Sequence, residues 1–301
     1  MRLASPLADL DCVAHDVPLA PLTWYRVGGP ARFLIRPRSV EELSHAVKRC
    51  GEEGIAVKVL GLGANLLVSD EGVDHAVLRL DEEAFRAVGP VRGGLAVGAG
   101  FDMQKLVLRC CREGLAGVEH MAGIYGTAGG GTVMNAGGRF GDWGQNVRSV
   151  TVMDAAGEVF ERTRDDLHFG YRTTNITSPY VLSVKLDLPD DDPAAVTERT
   201  KEVWMHKRAS QPLSGRSCGC AFVNPSDQTD KSAGRLIDEA GCKGLRIGSA
   251  EVSRQHANFV LAHKPAKAAD VRELMQAVAR RVEDHSGVTL RSEVKLWGFD
   301  E

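Results

Sequence analysis

Gly123-Ile124-Tyr125-Gly126-Thr127-Ala128-Gly129-Gly130-Gly131-Thr132-Val133-Met134-Asn135-Ala136-Gly137 is the stretch on which the reading of this 301-residue chain turns. Five glycines fall between 123 and 131, interleaved with the small Thr127 and Ala128. Each glycine weakens an ordinary helix or strand by roughly 1 kcal/mol. So costly a run points to backbone that must approach something closely, either a bulky planar ligand or a second backbone. A shorter cluster, Gly61-Leu62-Gly63-Ala64-Asn65-Leu66, offers N–H groups without side-chain obstruction, as a pyrophosphate oxygen requires. It is not a Walker loop, and a lone G-x-G fits a tight turn equally well. A further pair is Gly28-Gly29.

Outward from the loops, Ser39-Val40-Glu41-Glu42 predicts a capping box opening a helix with Leu43, Ala46 and Val47 on one face. Ile55 to Leu60 reads as a strand, so the first loop stands at a strand's carboxyl end, a favoured place for ligands. Met103 to Glu113 predicts a helix ending at Gly114, and Val150 to Asp154 with Glu158 to Arg162 a hairpin. Ala194 to Ala209 reads as a helix stopped by Gln211-Pro212. Val271, Leu274, Met275, Val278 and Val282 form one helical stripe. Val288, Leu290, Ser292, Val294 and Leu296 are expected on one face of a terminal strand, with Glu293 on the other. Residues 39 to 63, helix, strand and glycine loop, make an α/β pattern, and a domain break is expected near residue 195.

Charge and cysteine usage narrow the function. With 37 basic against 40 acidic residues, no global field favours nucleic acid or an acidic membrane surface, so any phosphate binding must be local. No apolar run approaches the roughly 20 residues of a membrane span, and Asp9 and Asp11 interrupt the start where a leader needs apolar residues. A cytoplasmic protein is expected. The 7 cysteines, irregularly spaced, make no disulfide framework and suit a reducing compartment. Cys218-Gly219-Cys220 lacks a second pair at zinc-site spacing, so no metal is expected.

The motifs then resemble, in order and from about residue 19 to 298, those of the UDP-N-acetylenolpyruvoylglucosamine reductase family. They are Trp24-Tyr25-Arg26-Val27-Gly28-Gly29-Pro30-Ala31, both glycine loops, Phe169-Gly170-Tyr171-Arg172 and Ser217-Cys218-Gly219-Cys220-Ala221-Phe222-Val223-Asn224-Pro225. Ser232 to Asp238, Gly244 to Gly248, His256-Ala257-Asn258-Phe259 and Leu290-Arg291-Ser292-Glu293-Val294 continue the series. The specificity lies in their order, since no one motif carries it.

The resemblance implies an FAD-binding fold of the vanillyl-alcohol oxidase type. Residues 1–195 would form its two subdomains, meeting near 80–100, and 196–301 an α+β substrate domain. It implies bound FAD, NADPH as reductant, and reduction of an enolpyruvyl ether on a UDP-sugar by a monomer or weak homo-oligomer. The cofactor contacts implied are Tyr25, Arg26, Gly61, Gly63, Ala64, Asn65, Leu66, Gly123, Gly126, Thr127, Gly130, Asn135 and Ala136. Arg172 would clamp the substrate carboxylate as an enolate forms, Glu293 assist it, and Cys220 protonate the carbon. Asn224 and His256 would bind substrate. The chain departs from the family at Cys220, where a serine is common, at Val223 for lysine, Ala64 for serine and Tyr125 for proline. Arg216 or Lys231 could compensate for Val223. The Arg172 to Cys220 interval carries no extra segment, which implies the shorter form of the family, lacking the tyrosine loop. Two other readings stay open, a non-catalytic paralogue that binds flavin or nucleotide sugar and a flavin oxidase of another substrate.

Overall fold

The computed structural model describes residues 6–299. Residues 1–5 and 300–301, the outer ends of the two anticipated domains and part of the segment searched for a leader, lie outside the described residues. The chain forms two compact units, one of Met1–His15, Phe33–Leu62 and His75–His206, the other of Asp16–Arg32, Gly63–Asp74 and Lys207–Glu301. Where the sequence suggested one break near 195, the units are discontinuous. Two early segments are built into the C-terminal one by backbone pairing: Leu66–Val68 runs parallel to Lys295–Trp297. The Tyr25 hydroxyl also donates to the Val260 carbonyl at 3.2 Å.

In the first unit, helix α1 (Val40–Glu52) begins where the Ser39 hydroxyl accepts the Glu42 N–H at 3.2 Å. The reciprocal half of the capping box goes elsewhere, since the Glu42 carboxylate takes the Arg38 N–H. Leu43, Ala46, Val47 and Cys50 are buried along its inner face. The strand after it, Val57–Val59, is shorter than the Ile55 to Leu60 run because it lies at a sheet edge, with Val73–Leu78 as its parallel neighbour. A five-stranded antiparallel sheet follows in the order Val159–Thr163, Val147–Met153, Tyr180–Asp187, Gly94–Gly98, Val88–Val91. The expected hairpin is its edge, and Asp154 closes the turn by accepting the N–H groups of Ala156 (2.8 Å) and Glu158 (2.9 Å).

Helix α2 (Met103–Glu113) is capped by Asp102 and stops at Gly114, φ +66°, as the sequence predicts. Helix α3 (Ala128–Met134) does not follow the prediction, for Gly129, Gly130 and Gly131 lie inside it. Tertiary contact overrides their poor propensity. A Cβ on Gly129 would stand 2.8 Å from the Ala99 Cβ, and one on Gly131 would stand 2.6 Å from the Met103 sulfur. Close packing therefore accounts for two of the three. Gly130 is exposed. Helix α4 (Pro193–Ser210) completes the segment.

In the second unit, α5 (Ala233–Glu239) and α6 (Ala268–Ser286) accompany a three-stranded antiparallel sheet of Arg246–Ile247, Ala250–Val252 and Val260–Ala262. The predicted stripe of α6 is buried throughout, and Asp70 caps it by accepting from the N–H groups of Ala268 (2.9 Å) and Ala269 (3.0 Å). The terminal strand is reduced to Lys295–Trp297. Val288, Leu290 and Val294 are buried, but Ser292 is exposed and Leu296 is 40 % exposed. The alternation slips because the segment changes partner: Glu293 N–H bonds the Ala221 carbonyl, whereas Lys295 N–H bonds that of Asn65.

Candidate functional site

The first unit gathers the glycine loops and the Arg172 turn around α3. Gly61 lies against the cap of that helix, where an added Cβ would stand 2.8 Å from the Thr127 hydroxyl. Thr127 accepts the Gly130 N–H at 3.2 Å, and a Cβ on Gly130 would meet nothing nearer than this same hydroxyl at 3.3 Å. Packing against Thr127 accounts for Gly61, while exposed Gly130 presents bare backbone at the first turn of α3, as close approach of a phosphate-bearing cofactor requires. The loop entrance is pinned to α2, with Gly123 N–H donating to the Gln104 side chain at 2.9 Å and the Gly126 carbonyl accepting from Met103 at 3.0 Å.

At the other end of α3, Asn135 adopts φ +41° and is 1 % exposed. Its amide donates to the Gly170 carbonyl at 2.8 Å and accepts the Gly144 N–H at 2.9 Å. Ala136 offers its carbonyl to Trp143 N–H at 2.8 Å. Gly170 precedes the turn Tyr171-Arg172, which joins the short strands Phe169–Gly170 and Thr173–Thr174. Arg172 has φ +56°, unusual for a side-chain-bearing residue, and its guanidinium donates to the Gly137 carbonyl at 2.9 Å. Strain of this kind persists where surrounding bonds over-determine it, often at functional positions.

The second unit holds the remaining groups. Gly63 has φ +66°, and a Cβ there would stand 2.4 Å from the Leu22 carbonyl. Gly63→Ala is expected to destabilise the fold by about 2–4 kcal/mol, combining left-handed strain with overpacking. A melting temperature lowered by several degrees, measured without added cofactor, checks this. Ala64 follows half-buried, and Leu66 is buried. Cys218 donates to the Leu66 carbonyl at 3.2 Å, and burial pushes its thiol up to about 12. It is a packed, inert thiol, whereas Cys220 is half-buried.

The backbone of Glu293 pairs with Ala221, the residue after Cys220. Ala221 N–H donates to the Asn258 carbonyl, and the Ala221 carbonyl accepts the Glu293 N–H, each at 2.8 Å. Asn65 adds a third tie, its side chain donating to the Glu293 carbonyl at 3.1 Å. The structure therefore brings together the end of the first glycine loop, the thiol and the carboxyl-bearing segment. Asn224 is exposed, and its side-chain oxygen accepts the Ala233 N–H at 2.9 Å, at the start of α5. Lys231, considered as a substitute for the family lysine, is engaged by Glu239 at 2.7 Å.

His256 rests edge-on to Phe259 at 4.9 Å, and its Nδ1 accepts the Asn258 N–H at 3.3 Å. Burial, aided by the charge of Lys243, holds its pKa below 6.5. The folded state thus resists protonating a ring that the unfolded chain protonates readily. The resulting stability is full above pH 6.5 and declines as pH falls from there toward the folded pKa. Comparing melting temperatures at pH 7.5 and 5.5, His256→Gln is expected to lose less on acidification than the unaltered protein.

Tyr25 is 1 % exposed with its hydroxyl spent on Val260, which leaves its backbone rather than its phenol for a ligand. Arg26, exposed at φ +58°, donates to the Pro21 carbonyl. Sequence reasoning missed Asn258, 3 % exposed and bonded through its side chain to Phe222. A lone amide in the apolar run Ala257 to Ala262 was the available signal. Among the described residues, no three His, Cys, Asp or Glu side chains are grouped as a metal site needs, and no helix is long and apolar enough to cross a membrane.

An FAD binding domain model matches residues 31–163, which with the relatives below makes the chain a flavin-dependent oxidoreductase. The model of the UDP-N-acetylenolpyruvoylglucosamine reductase C-terminal domain matches residues 211–297. UDP-N-acetylenolpyruvoylglucosamine reductase 2 of Symbiobacterium thermophilum is 40% identical, over 99% of this chain and 96% of its own. The reductase of Rhodospirillum rubrum is 38% identical, over 99% and 96%. The crystal structure of the Thermus caldophilus reductase superposes with a TM-score of 0.80 at 36% identity, covering 95% of this chain and 98% of that one. The chain belongs to the UDP-N-acetylenolpyruvoylglucosamine reductase family.

Proposed function

We propose that the chain reduces UDP-N-acetylglucosamine enolpyruvate to UDP-N-acetylmuramate, with FAD and NADPH, in peptidoglycan precursor synthesis. The observation that carries the reading is the backbone bond from Glu293 to Ala221, the residue after Cys220, in a chain of this family. Residues 1–195 would hold FAD, as two subdomains of the vanillyl-alcohol oxidase type dividing near 80–100, and 196–301 the UDP-sugar. Gly61, Gly63, Ala64, Asn65, Leu66, Gly123, Gly126, Thr127, Gly130, Asn135 and Ala136, with Tyr25 and Arg26, would cradle FAD through backbone and short side chains. When bound, FAD supplies hydride transfer from NADPH to the alkene.

The residues of the chain handle charge and proton. Hydride addition at the carbon remote from the carboxylate leaves negative charge that spreads into that carboxylate. Arg172, its fork oriented by the Gly137 bond, would hold the carboxylate and stabilise the charge as it develops. Glu293 would assist. Cys220 would give its thiol proton to the enolate carbon, and the thiolate would then regain a proton from solvent. Asn224 and His256 would place the nucleotide sugar. Thiols that form no disulfide among the described residues suit a cytoplasmic setting, and the chain would act as a monomer or weak homo-oligomer.

The test is the visible spectrum of the purified holoenzyme under anaerobic conditions. The flavin band is expected to bleach with NADPH and return with the enolpyruvyl UDP-sugar. A band that bleaches and never returns with that substrate would overturn the reading.

A further inference from the structure

We propose that Asn258 is a positioning residue for the proton transfer, holding the Cys220 segment in register through its side-chain amide; this rests on the functional reading above. Asn258 is 3 % exposed within an otherwise apolar run, so its amide must be satisfied or it destabilises the fold. Both halves are spent on one residue. The side-chain oxygen accepts the Phe222 N–H at 3.0 Å, and the side-chain nitrogen donates to the Phe222 carbonyl at 2.8 Å. Phe222 thus receives from a side chain the pair of bonds that a neighbouring strand would supply from its backbone.

The Asn258 backbone works on the same segment, its carbonyl accepting from Ala221 at 2.8 Å while its N–H reaches the His256 ring at 3.3 Å. On the other side, the Arg291 carbonyl accepts the Val223 N–H at 3.0 Å, and Glu293 N–H bonds Ala221. The Cys220 to Val223 segment is therefore held from both sides, and the amide of Asn258 is the side-chain member of that clamp. Leucine would match its size but strand the Phe222 N–H and carbonyl. Loosening of this kind shifts the thiol relative to its acceptor carbon, and a misplacement of about 1 Å can cost about 10²-fold in rate.

Asn258→Asp tests this, because it preserves the shape and the acceptor while setting a carboxylate oxygen against the Phe222 carbonyl. In the N258D holoenzyme, flavin reduction by NADPH is expected within about twofold of wild type, and reoxidation by the enolpyruvyl substrate slowed about 10- to 10²-fold. In a Cys220→Ala background the same substitution is expected to change the residual rate by less than about twofold, since the group it positions is gone. Equal slowing of both half-reactions, or a fully additive loss in the C220A background, would overturn the inference and leave Asn258 with a role in folding alone. Should N258D not retain FAD, N258S is read the same way and must show the same split at smaller amplitude. A wild-type holoenzyme that substrate cannot reoxidise overturns the functional reading, and this inference with it. Wild-type reoxidation matched by N258D overturns the inference only.

Discussion

Cys220→Ala is expected to slow turnover about 10²- to 10⁴-fold, the usual weight of a positioned proton donor, while NADPH still bleaches the flavin at the wild-type rate. The chain has two thiols in this motif, and the structure separates them. Cys218 is buried with its thiol bonded to the Leu66 carbonyl, so it is not presented for the transfer. Cys220 is the half-buried one, one peptide from the Ala221 junction that also holds Glu293. Cys220→Ser restores the hydroxyl common in the family and should recover much of the loss. Stopped-flow measurement of each half-reaction checks both variants. C220A reoxidised at the wild-type rate would exclude Cys220 as the proton donor.

Arg172→Met should be comparably severe, for a different reason. Loss of a fixed donor to developing negative charge typically costs about 10²- to 10³-fold in kcat. Because the guanidinium would also grip the ground-state carboxylate, KM for the enolpyruvyl substrate should rise as kcat falls. Lysine is a poor substitute, since a point charge on a flexible stem lacks the planar fork that meets a carboxylate with paired bonds. Steady-state kinetics of R172M and R172K decide the matter. An R172K variant close to wild type would argue against the fork as the working feature.

Periodicity and capping made much of the scaffold legible. The stripe of α6, the start and stop of α2 and the edge hairpin are local signals, and the structure repeats them. What failed was decided by distant partners. Glycines 129–131 are poor helix formers, yet Ala99 and Met103 leave no room for side chains at two of them. The alternation from Val288 to Leu296 broke where the chain passes from Ala221 to Asn65, two residues that sequence spacing does not place near it. The candidate site was legible as an ordered set of motifs, from which Arg172, Cys220 and Glu293 are proposed. It was not legible as a mechanism of support: the Asn135 fork on Gly170 and Gly144 leaves no mark in a local window, and the Asn258 fork on Phe222 leaves only a lone amide in an apolar run.

The left-handed backbone at Arg172 sets two demands against each other. Judged by conformation, the position favours glycine or asparagine, and arginine there costs the fold on the order of 1–3 kcal/mol. Judged by the role proposed for it, the position needs a guanidinium. A library screened for thermal tolerance would therefore drift toward small residues at 172, and one screened for growth would hold arginine fixed. Consensus drawn from the first would look like improvement and yield a robust, silent protein.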